Sequence, residues 1–150
     1  MPEPANKEIQ YTQTYRHSLD EKKRVAVPFR WRTVEEEEFT LVVWPHSVGL
    51  FLRVLPPPQW KKLLQPIDNM TDDETKAATK RRIGVMSLCT KLDKAGRLAI
   101  PDDMTAHAGI KSQVVLLGSI NRFEIWSPER YAEMEVKDGL ITPHPFKGFE

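Results

Sequence analysis

The chain has 150 residues, 40% hydrophobic and 29% charged, with 22 Lys/Arg against 21 Asp/Glu for a formal net charge of +1. A globular chain of this size buries roughly 68–70% of its unfolded surface and needs no covalent staple. No apolar run approaches the ~18 residues of a membrane helix, the polar opening MPEPANKEIQ shows no secretory h-region, and a single cysteine, Cys89, excludes an intrachain disulfide or a multi-cysteine metal site; the expectation is a reducing cytoplasm and no membrane partner.

In chain order, a short strand runs into Leu19-Asp20-Glu21-Lys22-Lys23-Arg24, where D-x-x-x-R reads as a turn, and a second strand, Val25–Val27, leaves it. Pro28 ends that strand and a short helical turn follows. Strands are expected around 40–44 and 50–55, joined by Pro45-His46-Ser47-Val48-Gly49. Pro57-Pro58 opens a helix over Gln59–Leu64. Thr71-Asp72-Asp73-Glu74 reads as a capping box for a helix to about Arg82, with acids in its first turn and Lys80-Arg81-Arg82 in its last.

The same series then returns. Leu92-Asp93-Lys94-Ala95-Gly96-Arg97-Leu98-Ala99-Ile100-Pro101 falls on Leu19 to Pro28 at an offset of 73, with identities at Leu, Asp, Arg, Ala and Pro. The offset also sets 114–117 on 41–44 and 123–125 on 50–52 without a gap. Gly96 suits a tight connection through its freedom at positive φ, where the first copy has Lys23. Strands are expected at 98–100, 113–117 and 122–126, and a helix over Arg130–Val136 with Ser127 as N-cap. Units this small do not bury both faces alone, so the expected fold is mainly β with peripheral helices (α+β): two copies packed about a pseudo-twofold as one small β-barrel. The boundaries are a first half at 12–65, a linker helix at 66–84, a second half at 85–136 and a tail at 137–150.

Charge is distributed unevenly over this plan. Residues 1–32 carry net +3 and residues 80–97 net +5, offset by acidic stretches elsewhere. A polyanion responds to the local field, not to the sum, although a solvated face is the plain alternative. Asp20 with Arg24, and Asp93 with Arg97, have a structural reading as salt bridges that buttress turns. They also have a functional one: Arg16, Lys22, Lys23 and Arg24, then Lys91, Lys94 and Arg97, form two basic turns that a pseudo-twofold brings to one side. There phosphates supply affinity and arginine reads guanine edges. The residues alone leave both open.

Leu19 to Arg32 (LDEKKRVAVPFRWR), Asp93 to Pro101 (DKAGRLAIP), and His107–Ile110 with Val114–Trp126 resemble the MraZ family of bacterial transcription regulators. The likeness spans about residues 17–133 and is most specific from Arg97 to Trp126. The resemblance implies two tandem AbrB-like swapped-hairpin halves, ring-shaped homo-oligomers, and repression through double-stranded DNA at direct repeats upstream of the division and cell-wall gene cluster, in the cytoplasm at the nucleoid. It puts the motif arginines at Arg24 and Arg97, a basic turn residue at Lys22, and family positions at Arg30 and Arg32. Lys23 departs from the family's usual glycine. Glu35-Glu36-Glu37-Glu38 has no family role and reads as a solvated loop. Asp102-Asp103-Met104-Thr105 lacks a basic residue often found there, which implies either weaker DNA contact by the second half or a role mainly in assembly.

An enzyme is not expected. Neither G-x-G-x-x-G nor a Walker sequence is present, and His17, His46, His107 and His144 have no metal-ligand spacing. Cys89 reads as an inert strand cysteine. No metal, cofactor or small-molecule substrate is called for. Trp31, Trp44, Trp60 and Trp126 stand open between interface anchors and core, and Phe146 and Phe149 in the tail between a docking strip and a frayed end. The competing class is a non-catalytic oligomeric interaction module in which D-x-x-x-R only buttresses turns.

Overall fold

The computed structural model describes residues 9–32 and 38–149. The elements are β1 (Thr14–Ser18), β2 (Arg24–Ala26), a 3-10 turn (Phe29–Trp31), β3 (Glu38–Trp44), β4 (Phe51–Leu55), α1 (Pro57–Asp68) and α2 (Asp73–Val85). They are followed by β5 (Ser87–Lys91), β6 (Arg97–Ala99), α3 (Asp102–His107), β7 (Gln113–Gly118), β8 (Phe123–Trp126) and α4 (Pro128–Ile141).

Six strands form one antiparallel sheet in the order β1-β7-β8-β4-β3-β5, and β2 pairs with β6 in a separate ribbon. The mainly-β, α+β class is therefore observed, whereas the closed barrel is not. At three residues each, β2 and β6 pair, among the described residues, with one another and do not bridge the edges at β1 and β5. The ribbon instead lies over one face of the sheet as a second layer. Its inward residues Val25, Val27, Leu98 and Ile100 share a core cluster with Leu41, Leu52, Val54, Leu116 and Ile125.

Exchanging each strand for its counterpart in the other copy (β1 with β5, β7 with β3, β8 with β4, β2 with β6) reverses the sheet order and returns the same topology. Two pairs lie on the axis of that relation: Val25 faces Leu98 and Leu52 faces Ile125, each pair 73 residues apart. Val42↔Arg53 likewise maps onto Val115↔Trp126. The edges break the rule. Thr14 faces Leu117, but Ser87 faces Val42 where the relation would put Trp44. That shift of two residues leaves every side chain on its own face, because the strand period is two.

Pro28 and Pro101 lack the N–H that would extend the ribbon, and each is followed by a turn that drives one large side chain inward. Trp31 and Met104, 73 residues apart, are both buried in the main cluster. Trp31 packs on Phe123 at 5.0 Å and edge-on to Tyr15 at 5.2 Å. Trp126 is also buried, stacked on Phe51 at 4.2 Å beneath α4. Two of the four tryptophans thus belong to the interior, while Trp44 lies half-buried under the Arg53 guanidinium at 3.9 Å.

The helices run longer than the sequence suggests. α2 reaches Val85, and its cap is Asp72, whose carboxylate accepts from the Thr75 N–H at 3.1 Å, in place of the Thr71 capping box. Ser127 caps α4 as expected, accepting from the Arg130 N–H at 3.2 Å. From that first turn Arg130 Nη1 donates to the carbonyls of Leu50 (2.7 Å) and His107 (2.8 Å). A Cβ on Gly49 or Gly109 would stand 2.7 or 2.9 Å from its guanidinium, so both glycines leave it room. Of the acidic run, Glu38 opens β3, exposed and opposite Lys91; residues 35–37 lie outside the described residues.

Candidate nucleic-acid interface

Each D-x-x-x-R segment closes on itself in the same way. Asp20 Oδ1 accepts from the Lys22 and Arg24 N–H groups, both at 2.9 Å, and Oδ2 accepts from Arg24 Nε at 2.8 Å. Asp93 repeats the set with Ala95 N–H (3.0 Å), Arg97 N–H (2.8 Å) and Arg97 Nε (2.9 Å). A short carboxylate at the first turn position is suited to holding backbone donors two and four residues on. The residue before each arginine is left-handed: Lys23 at φ +56° and Gly96 at φ +78°. That conformation sends its carbonyl across to the other copy, where Lys23 O accepts from Ile100 N–H and Gly96 O from Val27 N–H, each at 3.0 Å.

The two turns are also wired to each other. Arg24 Nη1 lies 3.5 Å from Asp93 Oδ2, and Arg97 Nη1 lies 3.6 Å from Asp20 Oδ2. Each Oδ2 therefore sits between two guanidinium groups, one from each copy. The arginine backbone N–H groups lead in holding the carboxyls of Asp20 and Asp93 below the usual carboxylate range; desolvation opposes them, and the arginine side chains add to the lowering. Both acids are ionised at neutral pH, and the four-membered cluster is neutral.

Around this cluster the surface is basic. Arg24 and Arg97 stand diagonally on the outward side of the ribbon, facing Ala99 and Ala26 across the strands. Both alanines are exposed, giving a low floor between the arginines. Lys22 and Lys94 project from the turn tips, and Arg30 from the 3-10 turn, all exposed. Lys23 pairs with Asp102 at 2.7 Å, so the acidic start of α3 serves the first turn. Arg32 turns inward. Its Nε donates to Val27 O at 2.9 Å and its guanidinium covers Gly96, where a Cβ would come within 2.2 Å of Cζ.

One basic residue counted with the turns, and the three on α2 that add to the charge of 80–97, belong elsewhere. Arg16, on β1, lies over the Tyr131 ring at 5.5 Å on the α4 side of the sheet. Arg81 and Arg82 sit with Lys80 on α2, separated from the second turn by the length of β5. Sequence reading also missed the Lys23–Asp102 pair, the reciprocal Arg–Asp contacts and the Arg32 brace. The repeat offset carries a trace of the brace, because it aligns glycine with lysine and leaves Arg32 opposite Thr105. Cys89 is exposed on β5 beside Thr40 Oγ1 at 3.3 Å. Among the described residues, no three His, Cys, Asp or Glu side chains form a group able to hold a metal, and no helix is long and apolar enough to cross a membrane.

Comparison with known proteins bears directly on these turns. A family model described as "MraZ protein, putative antitoxin-like" matches residues 89–141, which include the second turn. The transcriptional regulator MraZ of Leuconostoc citreum (strain KM20) is 33% identical over 118 residues, 78% of this chain and 80% of its own. The chain belongs to the MraZ family. The MraZ regulators of Natranaerobius thermophilus (34% over 119 residues, 78% of this chain and 80% of the relative) and Yersinia enterocolitica (32% over 129 residues, 82% of each) show the same likeness. The MraZ resemblance read from the motifs is thereby borne out, and its most specific stretch, Arg97 to Trp126, lies within the matched region.

Proposed function

We propose that this MraZ-family chain is a DNA-binding transcription regulator whose β2–β6 ribbon meets a duplex. The observation that carries the reading is the pairing of two basic turns on one exposed face, with the alanine floor of Ala26 and Ala99 between them. Lys22 and Lys94 reach phosphates from the turn tips, with Arg30 and Lys23 adding to the field. Arg24 and Arg97 present their remaining N–H groups to base edges. The names carried by the relatives support regulation of transcription.

Within this reading the protein is a cytoplasmic, nucleoid-associated repressor of the division and cell-wall gene cluster, not an enzyme. It is organised as AbrB-like halves at 12–65 and 85–136, a linker helix at 66–84 and a tail at 137–150. It assembles as a ring-like homo-oligomer whose subunits read direct repeats.

A second reading has one specific observation in its favour. Both motif arginines spend Nε and Nη1 on carboxylates, as turn buttresses in an interaction module would. The two roles separate by mutation. Lys22→Ala should weaken DNA binding without changing the melting temperature, whereas Arg24→Ala should lower both. Fluorescence anisotropy across a salt series, on a duplex from upstream of the chain's own gene and on its scrambled counterpart, supplies the affinity. The DNA reading expects preference for the native duplex and a fall in log affinity of about 0.9 per neutralised phosphate against log salt. Equal, weak binding to both duplexes refutes it and leaves the interaction module.

A further inference from the structure

Half of the second basic island, Lys80, Arg81 and Arg82, lies outside the ribbon. Lys80, Arg81 and Arg82 are all exposed in the last turns of α2, a helix of 13 residues in which nothing is buried. A solvated helix of that length is marginal on its own. α2 is held at its ends instead: Asp72 caps it, Lys76 Nζ donates to Asp68 O at 3.1 Å, and Ser87 Oγ donates to Ile83 O at 2.6 Å. Cations near a helix C-terminus favour its dipole, but three consecutive ones are splayed by about 100° each and make an exposed collar round the helix end. Among the described residues, Lys80 has a near acid in Asp68 at 3.8 Å.

We propose that this collar is a second phosphate-contacting element, seated on duplex backbone flanking the stretch that the ribbon covers. The inference rests on the DNA reading above and extends its footprint. Charge complementarity names the occupant, and position makes it reachable. From α2 the chain runs through β5, five residues and about 17 Å long, into the second basic turn. That is the rise of about five base pairs at ~3.4 Å each. The collar carries no base-reading geometry, so its contribution is independent of sequence.

The test uses the full chain with Lys80→Ala, Arg81→Ala and Arg82→Ala combined, beside a variant with both arginines changed to lysine. Salt-dependent affinity is measured on the native duplex, on the same duplex lengthened by about ten base pairs at each end, and on scrambled versions. On the long duplexes the alanine variant should lose up to about 2.7 from the slope of log affinity against log salt, at about 0.9 per contact. The loss should be equal for native and scrambled DNA, and the lysine variant should keep the wild-type slope. Circular dichroism should show the helix retained, alanine being a good helix former. An unchanged slope on the long duplexes overturns the inference while leaving the ribbon reading intact. A change in oligomer mass with an unchanged slope assigns the collar to a protein interface and also overturns it. Wild-type protein that fails to prefer the native duplex removes the DNA reading itself.

Discussion

Gly96→Ala tests whether the second turn is braced as described. Two costs are expected. A residue with a Cβ at φ +78° incurs roughly 1–2 kcal/mol of steric strain, offset by about 0.4–1 kcal/mol from the stiffer unfolded chain. The new Cβ would also stand 2.2–2.5 Å from Cζ, Nε and Nη1 of Arg32, forcing the guanidinium off its perch and breaking its bond to Val27 O. A hydrogen bond from a charged donor contributes about 1.5–3 kcal/mol, and this half-exposed one belongs at the low end. The sum is about 2–3 kcal/mol, or a fall of roughly 5–10 °C in melting temperature at this chain length. Urea and thermal unfolding by circular dichroism measure it, and a double-mutant cycle with Arg32→Ala isolates the collision. In the Arg32→Ala background Gly96→Ala should cost only about 1 kcal/mol. Equal costs in the two backgrounds would refute the brace.

Lys23→Gly should act in the opposite sense, since Lys23 already holds φ +56° and its pair with Asp102 is exposed; a gain of up to about 1 kcal/mol in urea unfolding is expected. Leu98→Ala, at the axis pair with Val25, removes a fully buried side chain and should cost about 2–5 kcal/mol in the same assay. Arg130→Met keeps the stem but withdraws the donor to Leu50 O and His107 O, and a loss of about 2–3 kcal/mol is expected, with no change in affinity for DNA. In acid the signs divide. Asp20 and Asp93 are depressed in the folded state, so their contribution persists down to the ordinary aspartate value near 3.9 and is lost as pH falls further, through their folded values. Glu124, raised chiefly by burial, is destabilising when charged, and its protonation begins to relieve that cost above the ordinary glutamate value. Wild-type stability should therefore drop steeply only below about pH 4, and Asp20→Asn with Asp93→Asn should flatten that limb.

The repeat offset carried much of the fold, for a physical reason. Strand pairs on a pseudo-twofold join residues separated by the repeat length itself, so Val25 with Leu98 and Leu52 with Ile125 follow from the spacing alone. What spacing does not contain is the fate of the sheet edges. Closure into a barrel depended on whether three-residue strands can reach β1 and β5, and the β3–β5 slip depended on which of two registers, both keeping the faces, packs better. At the site, Asp20 and Asp93 were legible because D-x-x-x-R is local chemistry. The reciprocal contacts to Arg97 and Arg24 join residues 77 and 69 positions apart in sequence, and no local pattern announces them. Arg32 was placed among the DNA-contacting positions by the family resemblance, yet its guanidinium covers Gly96 and braces the turn.

Neither copy holds the site by itself. Among the described residues β2 pairs with β6, β1 with β7 and β5 with β3, so the strand pairings other than the two hairpins β3–β4 and β7–β8 cross between copies. The acids cross as well, because each Oδ2 serves an arginine of either turn. Joining the copies in one chain fixes them one to one, and it also lets them differ in ways two identical halves could not. The first turn carries Lys22 and Lys23 and accepts a left-handed lysine; the second carries glycine, and Arg32 from the first copy fills the space that glycine leaves. Charge is thus concentrated on one turn and rigidity on the other. If the ribbon lies on a duplex, that division makes the two ends of the contact unequal, so that the chain has a direction on DNA, which suits sites repeated head to tail better than a strict palindrome would.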